Sequence, residues 1–337
     1  MIDSKVTLND IAQNAGVSPS TVSRVLNHRD IVKSETLEKV EGAMRNLGVN
    51  PAKVVHSPEK KPNGILLINV PSFENPFYSE IIKGARSSAI MHGFYLLISQ
   101  GSLDSNYIEH IAELVKSSNV VGMIVLDYLP DSLLLNLDQI LPVVQCCEYN
   151  KNCDIPYVGI DNLSAAINVM DYILSIGRRR IALINGPRKF MYARDRHSGY
   201  EQSLTSRNIS VPRSWDIQLS EVNFDMAYTA ACQLFSCENK PNAVFAVSDV
   251  FAAAVIKAAN RYGLSVPDDV AVVGFDNIDV SMMSSPTITT VNQPKFQLGY
   301  TACEFLVDRI NRPENQSNTI LLNTELIVRE SSSIDKR

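Results

Sequence analysis

Between positions 18 and 24 the chain carries Ser18, Pro19, Ser20, Thr21, Ser23 and Arg24, a run of small hydroxyls ending in a guanidinium. Small hydroxyls let a backbone approach phosphate oxygens closely, and an arginine can donate two hydrogen bonds to O6 and N7 of one guanine. The chemistry on offer is recognition of duplex DNA. It requires these side chains to share one exposed face, so the flanking residues must build the helix that presents them. Leu8, Ile11, Ala12 and Ala15 recur at helical spacing and predict a first helix with one apolar face. Thr7 can cap its start, with Asp10 three places on as a capping-box partner. Gly16 suits the left-handed conformation that stops a helix, and Val17 can fill the gap between two crossing helices. Ser18 then caps a second helix with Pro19 at its first position, where a missing N–H costs nothing. Val22, Val25 and Leu26 turn that helix's other face inward. A third helix is predicted from Ser34 to about Leu47, with Leu37, Val40, Met44 and Leu47 buried. Together these form a trihelical helix-turn-helix unit.

Other chemistries find little support. GxSxG, GxxxxGK[ST] and HExxH stretches are absent, so no enzyme activity and no organic cofactor are expected. Cys146, Cys147, Cys153, Cys232, Cys237 and Cys303 form no CxxC pair, and no His/Cys cluster has zinc-ligand spacing, so no metal site is expected either. The thiols read as reduced and mostly buried, as in a cytoplasmic protein. His28, His56, His92, His110 and His197 are scattered, and a hydrogen-bonded structural role is expected even for His197.

The remainder of the 337 residues must hold at least one more compact unit. No apolar run reaches the roughly 18 residues of a membrane span, and the opening Met1-Ile2-Asp3-Ser4-Lys5 lacks a signal-peptide pattern, so export is not expected. The net charge of −5 divides unevenly: residues 1–61 hold nine Lys/Arg against seven Asp/Glu (+2), and the rest 22 against 29 (−7). A mildly basic front end suits DNA without proving it. Residues 49–63 are rich in Pro, Lys and small side chains and read as a linker. From Gly64 short apolar runs (65–70, 95–98, 120–126, 143–147, 157–160, 181–184, 243–247 and 270–273) alternate with amphipathic stretches near 77–92, 105–117, 163–176, 193–206, 224–236, 249–262 and 295–310. That alternation predicts parallel sheets with helices on both faces.

The stretch Val6-Thr7-Leu8-x-Asp10-Ile11-Ala12-x-x-Ala15-Gly16-Val17-Ser18-x-x-Thr21-Val22-Ser23-Arg24-Val25-Leu26-Asn27 resembles the signature of LacI/GalR transcriptional regulators. The resemblance continues to about Ser331 through Asn75-Pro76-Phe77-Tyr78, Val158-Gly159-Ile160-Asp161-Asn162, Ser248-Asp249, Val273-Gly274-Phe275-Asp276-Asn277 and Thr289-Thr290-Val291-Asn292-Gln293-Pro294. It implies an α/β fold: a two-lobed, periplasmic-binding-protein-like, doubly wound domain preceded by an all-α headpiece. Its implied boundaries are a headpiece at 1–49, a hinge at 50–62 and an effector-binding and dimerisation domain at 63–337. Lobe one would take about 63–161 plus 292–320, and lobe two about 162–291 plus 321–331.

The resemblance also implies roles. Pro19, Ser20 and Arg24 would read bases, while Thr7, Ser18, Thr21, Ser23, Asn27 and Lys33 would lie at or near phosphates, with Leu8 among the DNA-facing positions. Pro58 falls where the family inserts a leucine into the minor groove. Proline can wedge between base steps but forbids a normal helical turn, so a loose tether is the expectation there. In the interlobe cleft, Phe73 and Phe77 would offer aromatic faces. Asp127, Glu148, Arg196, Ser248, Asp249 and Asp276 would pair polar groups of an effector, with Phe224 beside them. The blocks most resemble the family's cytidine-responsive members, which implies a nucleoside effector with a sugar as the competitor. The implied function is a DNA-binding regulator, a repressor in sense, whose operator affinity a small molecule modulates. It would act as a cytoplasmic homodimer, since the C-terminus carries no apolar heptad for a tetramer. The alternative is a stand-alone sugar- or nucleoside-binding protein without regulatory DNA binding.

Overall fold

The stretch Ile65–Val70, apolar except for the buried Asn69, forms β1, and every pairing in its sheet is parallel. A computed structural model describes residues 6, 8–19, 21–22, 25, 32–49, 63–101, 105–313 and 319–333. The chain divides into two units, Met1–Pro62 and Asn63–Arg337.

In the first unit the helices Leu8–Ala15 and Ser34–Asn46 enclose a small core. Pro19, Thr21, Val22 and Val25 also have helical backbone. Ile11, Ala12, Val22, Val25, Val40, Ala43 and Met44 are buried together, with Ala15, Val17, Leu37 and Leu47 packed on them. Gly16 adopts φ 66°, and the next amide, on Val17, closes onto the Ala12 carbonyl at 3.0 Å. The turn between the first two helical stretches therefore depends on a residue without a Cβ.

The second unit contains two six-stranded sheets. The first runs β11-β5-β4-β3-β1-β2, with β2 at Tyr95–Gln100, β3 at Val120–Val125, β4 at Val143–Cys146, β5 at Tyr157–Ile160 and β11 at Thr319–Leu322. The second runs β12-β10-β9-β8-β6-β7. Its strands are β6 at Ile181–Asn185, β7 at Asp216–Gln218, β8 at Ala243–Ala246, β9 at Ala271–Asp276, β10 at Thr289–Asn292 and β12 at Glu325–Ile327. All pairings are parallel except β12 with β10. The chain passes between sheets after β5, after β10 and after β11.

Both sheets reverse strand order beside their first strand, β1 between β2 and β3 and β6 between β7 and β8. Such switch points leave a crevice at the strands' C-terminal ends, where open α/β sheets place ligands. Helix Lys295–Asn311, on the return from the second sheet, packs against Phe77–Met91 so closely that a Cβ on Gly84 would collide with the Phe296 carbonyl, and one on Gly299 with that of Ile81.

The structure adds elements that the hydropathy pattern does not mark. Helix Asp131–Ile140 is one; its Leu133-Leu134-Leu135 run hides the helical period, though only Leu134 and Leu137 are buried. Strands β7, β10, β11 and β12, each three or four residues long, are further ones, as is the short helix Val280–Met283. Among the described residues, no helix is long and apolar enough to cross a membrane.

Candidate functional site: an interlobe cavity and a helix-turn-helix face

In the first unit, Ser18 caps the helical turn that follows it: its Oγ accepts from the Thr21 amide at 3.2 Å and lies 2.8 Å from Thr21 Oγ1. Ser18, Pro19 and Lys33 are exposed and Thr21 is half-exposed, so these four sit where a partner can reach them. Lys33 also begins the helix Ser34–Asn46, its carbonyl accepting from Thr36 and Leu37. Leu8 opens the first helix. Thr7, Ser20, Ser23, Arg24, Asn27 and Pro58 lie outside the described residues.

In the second unit, the strand ends of the two sheets enclose a cavity of ≈ 40 Å³. Asn75, Tyr78, Tyr192 and Val222 also line a second, outer chamber of ≈ 380 Å³. Arg196 is the organising residue of the inner space. It lies on helix Met191–Thr205, one turn before Gly199. A Cβ at Gly199 would sit 2.7 Å from that of Ala166, so the glycine lets this helix press against Asn162–Ser175. The close crossing brings Asn162 Oδ1 to 2.9 Å from Arg196 Nε. Nη1 donates to the Val247 carbonyl at 2.7 Å and stands 3.7 Å from Asp276 Oδ1. The guanidinium lies between the Phe275 ring, at 3.5 Å, and that of Tyr192, at 4.8 Å.

Asp276 ends β9 with φ 108° and receives Gln293 Nε2 at 2.7 Å. Burial raises its carboxyl above the usual range, against the pull of Arg196 and Lys295 and a hydrogen bond from Ser248. Burial in turn lowers the Arg196 guanidinium, and Asp276 opposes it. The pair is held at high desolvation cost, which suits a site whose hydrogen bonds are completed by a ligand.

The first lobe contributes differently. Asn75 Oδ1 accepts from the Phe77 amide at 3.1 Å and starts the helix Phe77–Met91, whose first two rings meet edge-on 5.4 Å apart. Glu148, two residues after β4, reaches across the cleft. Its carboxylate accepts the amides of Met191 at 2.5 Å and Tyr192 at 3.1 Å. Burial pushes it up to about 7, and those two amides oppose the shift.

Of the expected effector residues, Phe77, Glu148, Arg196, Ser248 and Asp276 line the cavity together. Phe73 is 57 % exposed, and its amide donates to Gln100, a residue of the outer chamber. Burial raises the Asp127 carboxyl and Lys189, on the outer chamber's wall, lowers it. Phe224 stacks on Tyr228 with the Lys257 ammonium over both rings. Asp249 lies under Gly274, where any Cβ would strike it, and accepts the Ile278 amide at 2.9 Å. These last four line no part of the inner cavity. His197 is bonded to Asp216 at 2.8 Å and also lies away from it.

The cavity adds Asn162, Gln293, Tyr192 and Cys147. The first two stand in sequence blocks already singled out. Tyr192 precedes Arg196 by one helical turn, the one signal that could have found it. Its hydroxyl is buried, has no hydrogen-bond partner among the described residues, and lies where a Cβ on Gly186 would come to 2.5 Å.

The pattern that defines bacterial regulatory proteins of the lacI family matches residues 7–52, and that of the periplasmic binding protein-like domain matches 170–332. The HTH-type transcriptional repressor CytR of Escherichia coli (strain K12) is 33 % identical over 332 residues, spanning 98 % of this chain and 97 % of that protein. The chain belongs to the LacI family. A second relative, the HTH-type transcriptional repressor PurR of Klebsiella pneumoniae (strain 342), is 30 % identical over 96 % of both chains. The solved complex of the transcriptional regulator CelR with cellobiose superposes with a TM-score of 0.73, at 29 % identity, over 97 % of this chain and 99 % of that one. This LacI-family member is an effector-modulated transcriptional repressor with a helix-turn-helix DNA-binding unit. Whole-length similarity that includes the headpiece does not favour a stand-alone binding protein.

Proposed function

We propose that the protein represses transcription as a cytoplasmic homodimer, with a headpiece at 1–49, a hinge at 50–62 and an effector domain at 63–337 that responds to a nucleoside. It acts by binding, not by turnover. The observation that carries the effector reading is the inner cavity itself. Arg196, Asp276, Gln293 and Asn162 present donors and acceptors suited to ribose hydroxyls, and Phe77, Tyr78 and Tyr192 supply aromatic surface. The polar wall alone would also suit a free sugar. What favours a nucleoside is the outer chamber of ≈ 380 Å³ that shares four wall residues with the inner one and would give a base somewhere to lie. Phe73 and Asp127 belong to this reading only through Gln100 and Lys189, the outer-chamber residues they act on. Phe224 and Asp249 belong to it as supports behind the wall.

The dimer reading rests on apolar surface. Ile90 and Met91 at the end of one helix, with Tyr95, Leu97 and Ile98 on the edge strand β2, are 39–62 % exposed on neighbouring elements of the first lobe. Exposed apolar surface grouped in this way marks an interaction site, and a twofold pairing is the commonest solution. Two headpieces would then meet successive major-groove half-sites. Ser18, Thr21 and Lys33 would hold phosphates, with Thr7, Leu8, Ser23 and Asn27 beside them. Pro19, Ser20 and Arg24 would read bases, and Pro58 would make a weak wedge.

Two measurements test the proposal. Calorimetry with cytidine, adenosine, ribose and cellobiose should give binding for a nucleoside and little for the sugars; the reverse order sinks the nucleoside reading. Selection of bound DNA sequences by wild type and Arg24→Ala should show relaxed preference at one base pair, worth about 1–3 kcal/mol. An unchanged preference removes Arg24 from the reading set.

A further inference from the structure

Lys295 is the first residue of its helix and only 8 % exposed. Both facts are unfavourable for an ammonium group. The helix macrodipole repels a cation at this end, and burial strips the charge of water. Burial indeed lowers its pKa, opposed first by the charge of Asp276. A cation retained under two penalties needs a compensating set of partners, and Lys295 has one. Its Nζ donates to the carbonyl of Asp276, to that of Asn277 at 3.0 Å and to that of Gln293 at 3.5 Å.

The first two carbonyls belong to an unusual turn. Asp276 has φ 108° and Asn277 φ 50°, both in the left-handed region that glycine favours. The turn aims the Asp276 carboxylate at Gln293 and Arg196 on the cavity wall. Side chains grip it from one side: Asn277 Nδ2 donates to Asn292 at 3.0 Å, and Asn277 Oδ1 accepts Arg329 at 2.8 Å. Lys295 grips the backbone itself. It does so from a helix that packs on the first lobe, whereas Asp276 ends a strand of the second sheet. Lys295 does not line the cavity.

We propose that Lys295 is a positioning residue for effector recognition: its ammonium fixes the left-handed turn at Asp276–Asn277, and so the direction in which the Asp276 carboxylate faces the cavity. The inference rests on the reading of that cavity as the effector site, and it adds a residue that touches no ligand.

The test uses the full-length protein, cytidine as probe, and the variants Lys295→Met, Lys295→Arg, Asp276→Asn and the double Lys295→Met/Asp276→Asn. Lys295→Met should weaken cytidine binding about tenfold or more, and Lys295→Arg, which keeps donors for the carbonyls, should recover part of the loss. Added to Asp276→Asn, Lys295→Met should cost no more than about twofold, because the carboxylate it orients is already gone. Equal losses in both backgrounds, or normal binding by Lys295→Met, would overturn the proposal. A crystal structure of Lys295→Met reads the turn without any ligand. A displaced Asp276 carboxylate supports the role; an unchanged φ at Asp276 refutes it. That arm still decides if wild type binds no nucleoside, an outcome that defeats the effector reading alone. Should Lys295→Met not fold, Lys295→Gln is put through the same measurements.

Discussion

The two walls of the cavity are built on opposite plans. The wall built around Arg196 and Asp276 is cross-braced, mostly by second-lobe groups, with Gln293 and Lys295 reaching it from the segment that returns to the first lobe. Arg196 is fixed by Asn162, by the Val247 carbonyl and by two aromatic faces, and Asp276 is held by Gln293. The first lobe's wall offers two rings and one carboxylate, and both oxygens of Glu148 are spent on amides of the opposite lobe. Those amides open helix Met191–Thr205, whose own N-cap residue, Phe190, supplies no side-chain hydrogen bond. Nearby, Arg194 of the same helix stacks over Tyr128 of the first lobe at 5.2 Å. One wall is therefore preorganised for recognition, and the other, through Glu148, holds the start of helix Met191–Thr205 against the first lobe. A ligand that completes the first wall while favouring closure against the second has differential affinity for two states, which is what effector control requires.

The largest effect should come from breaking the braced wall. Arg196→Ala leaves Asp276 buried without its ion-pair partner and frees the Val247 carbonyl and Asn162 Oδ1. Removing one member of a buried pair of this kind costs about 3–5 kcal/mol of stability. Nucleoside binding should fall with it, by tenfold or more. Arg196→Lys should recover little, because an ammonium cannot stack flat between Phe275 and Tyr192 while reaching two acceptors. Thermal melts with calorimetry check both halves. A variant that melts like wild type would mean the wall is not a network.

The bonds from Met191 and Tyr192 to Glu148 are tested by pH. Burial raises the Glu148 carboxyl from its ordinary value near 4.5 to about 7. A raised carboxyl binds its proton more tightly in the closed, folded form than when solvated. Its contribution is fully present below the solvated value and is lost as pH rises from there through about 7. The full span amounts to roughly 3 kcal/mol. The Glu148 contribution to effector-domain stability should therefore decline between about pH 5 and 7 and level off above, while the raised carboxyls of Asp276 and Asp249 add declines of their own. Glu148→Gln, which keeps an acceptor and cannot ionise, should flatten that profile. An identical slope in wild type and Glu148→Gln would assign the titration to other groups.

Much of this architecture is written in hydropathy. The runs at 65–70 and 157–160 coincide with β1 and β5, because strands buried on both faces need unbroken apolar stretches. Strands β10, β11 and β12 escape that signal: they are short, polar in part, and defined by pairing with distant residues rather than by their own composition. The site divides in the same way. Arg196 and Asp276 were legible from flanking motifs. Lys295 was not, since a lysine after Gln293-Pro294 reads as an ordinary exposed charge until the fold buries it. Nor could sequence tell that Asp249, beside the cavity-lining Ser248, turns away beneath Gly274.

The smallest effect sharpens the contrast most, because it separates recognition from stability on the braced wall. Burial holds the Tyr192 phenol above its usual pKa, so it is a neutral donor, and its hydroxyl has no partner among the described residues. A buried polar group left unpaired costs about 1–3 kcal/mol. Tyr192→Phe removes that cost while keeping the ring that faces Arg196, so the variant should be as stable as wild type or slightly more so. If the hydroxyl is completed by a ligand, the same change should weaken nucleoside binding by about 0.5–1.5 kcal/mol, roughly two- to twelvefold. Melting curves and calorimetry on one preparation measure the two quantities side by side. A variant that loses stability yet binds as tightly as wild type would place the hydroxyl in the framework and take it out of recognition. A gain in stability with a loss of affinity would show that this wall carries a polar group left unsatisfied until the effector arrives.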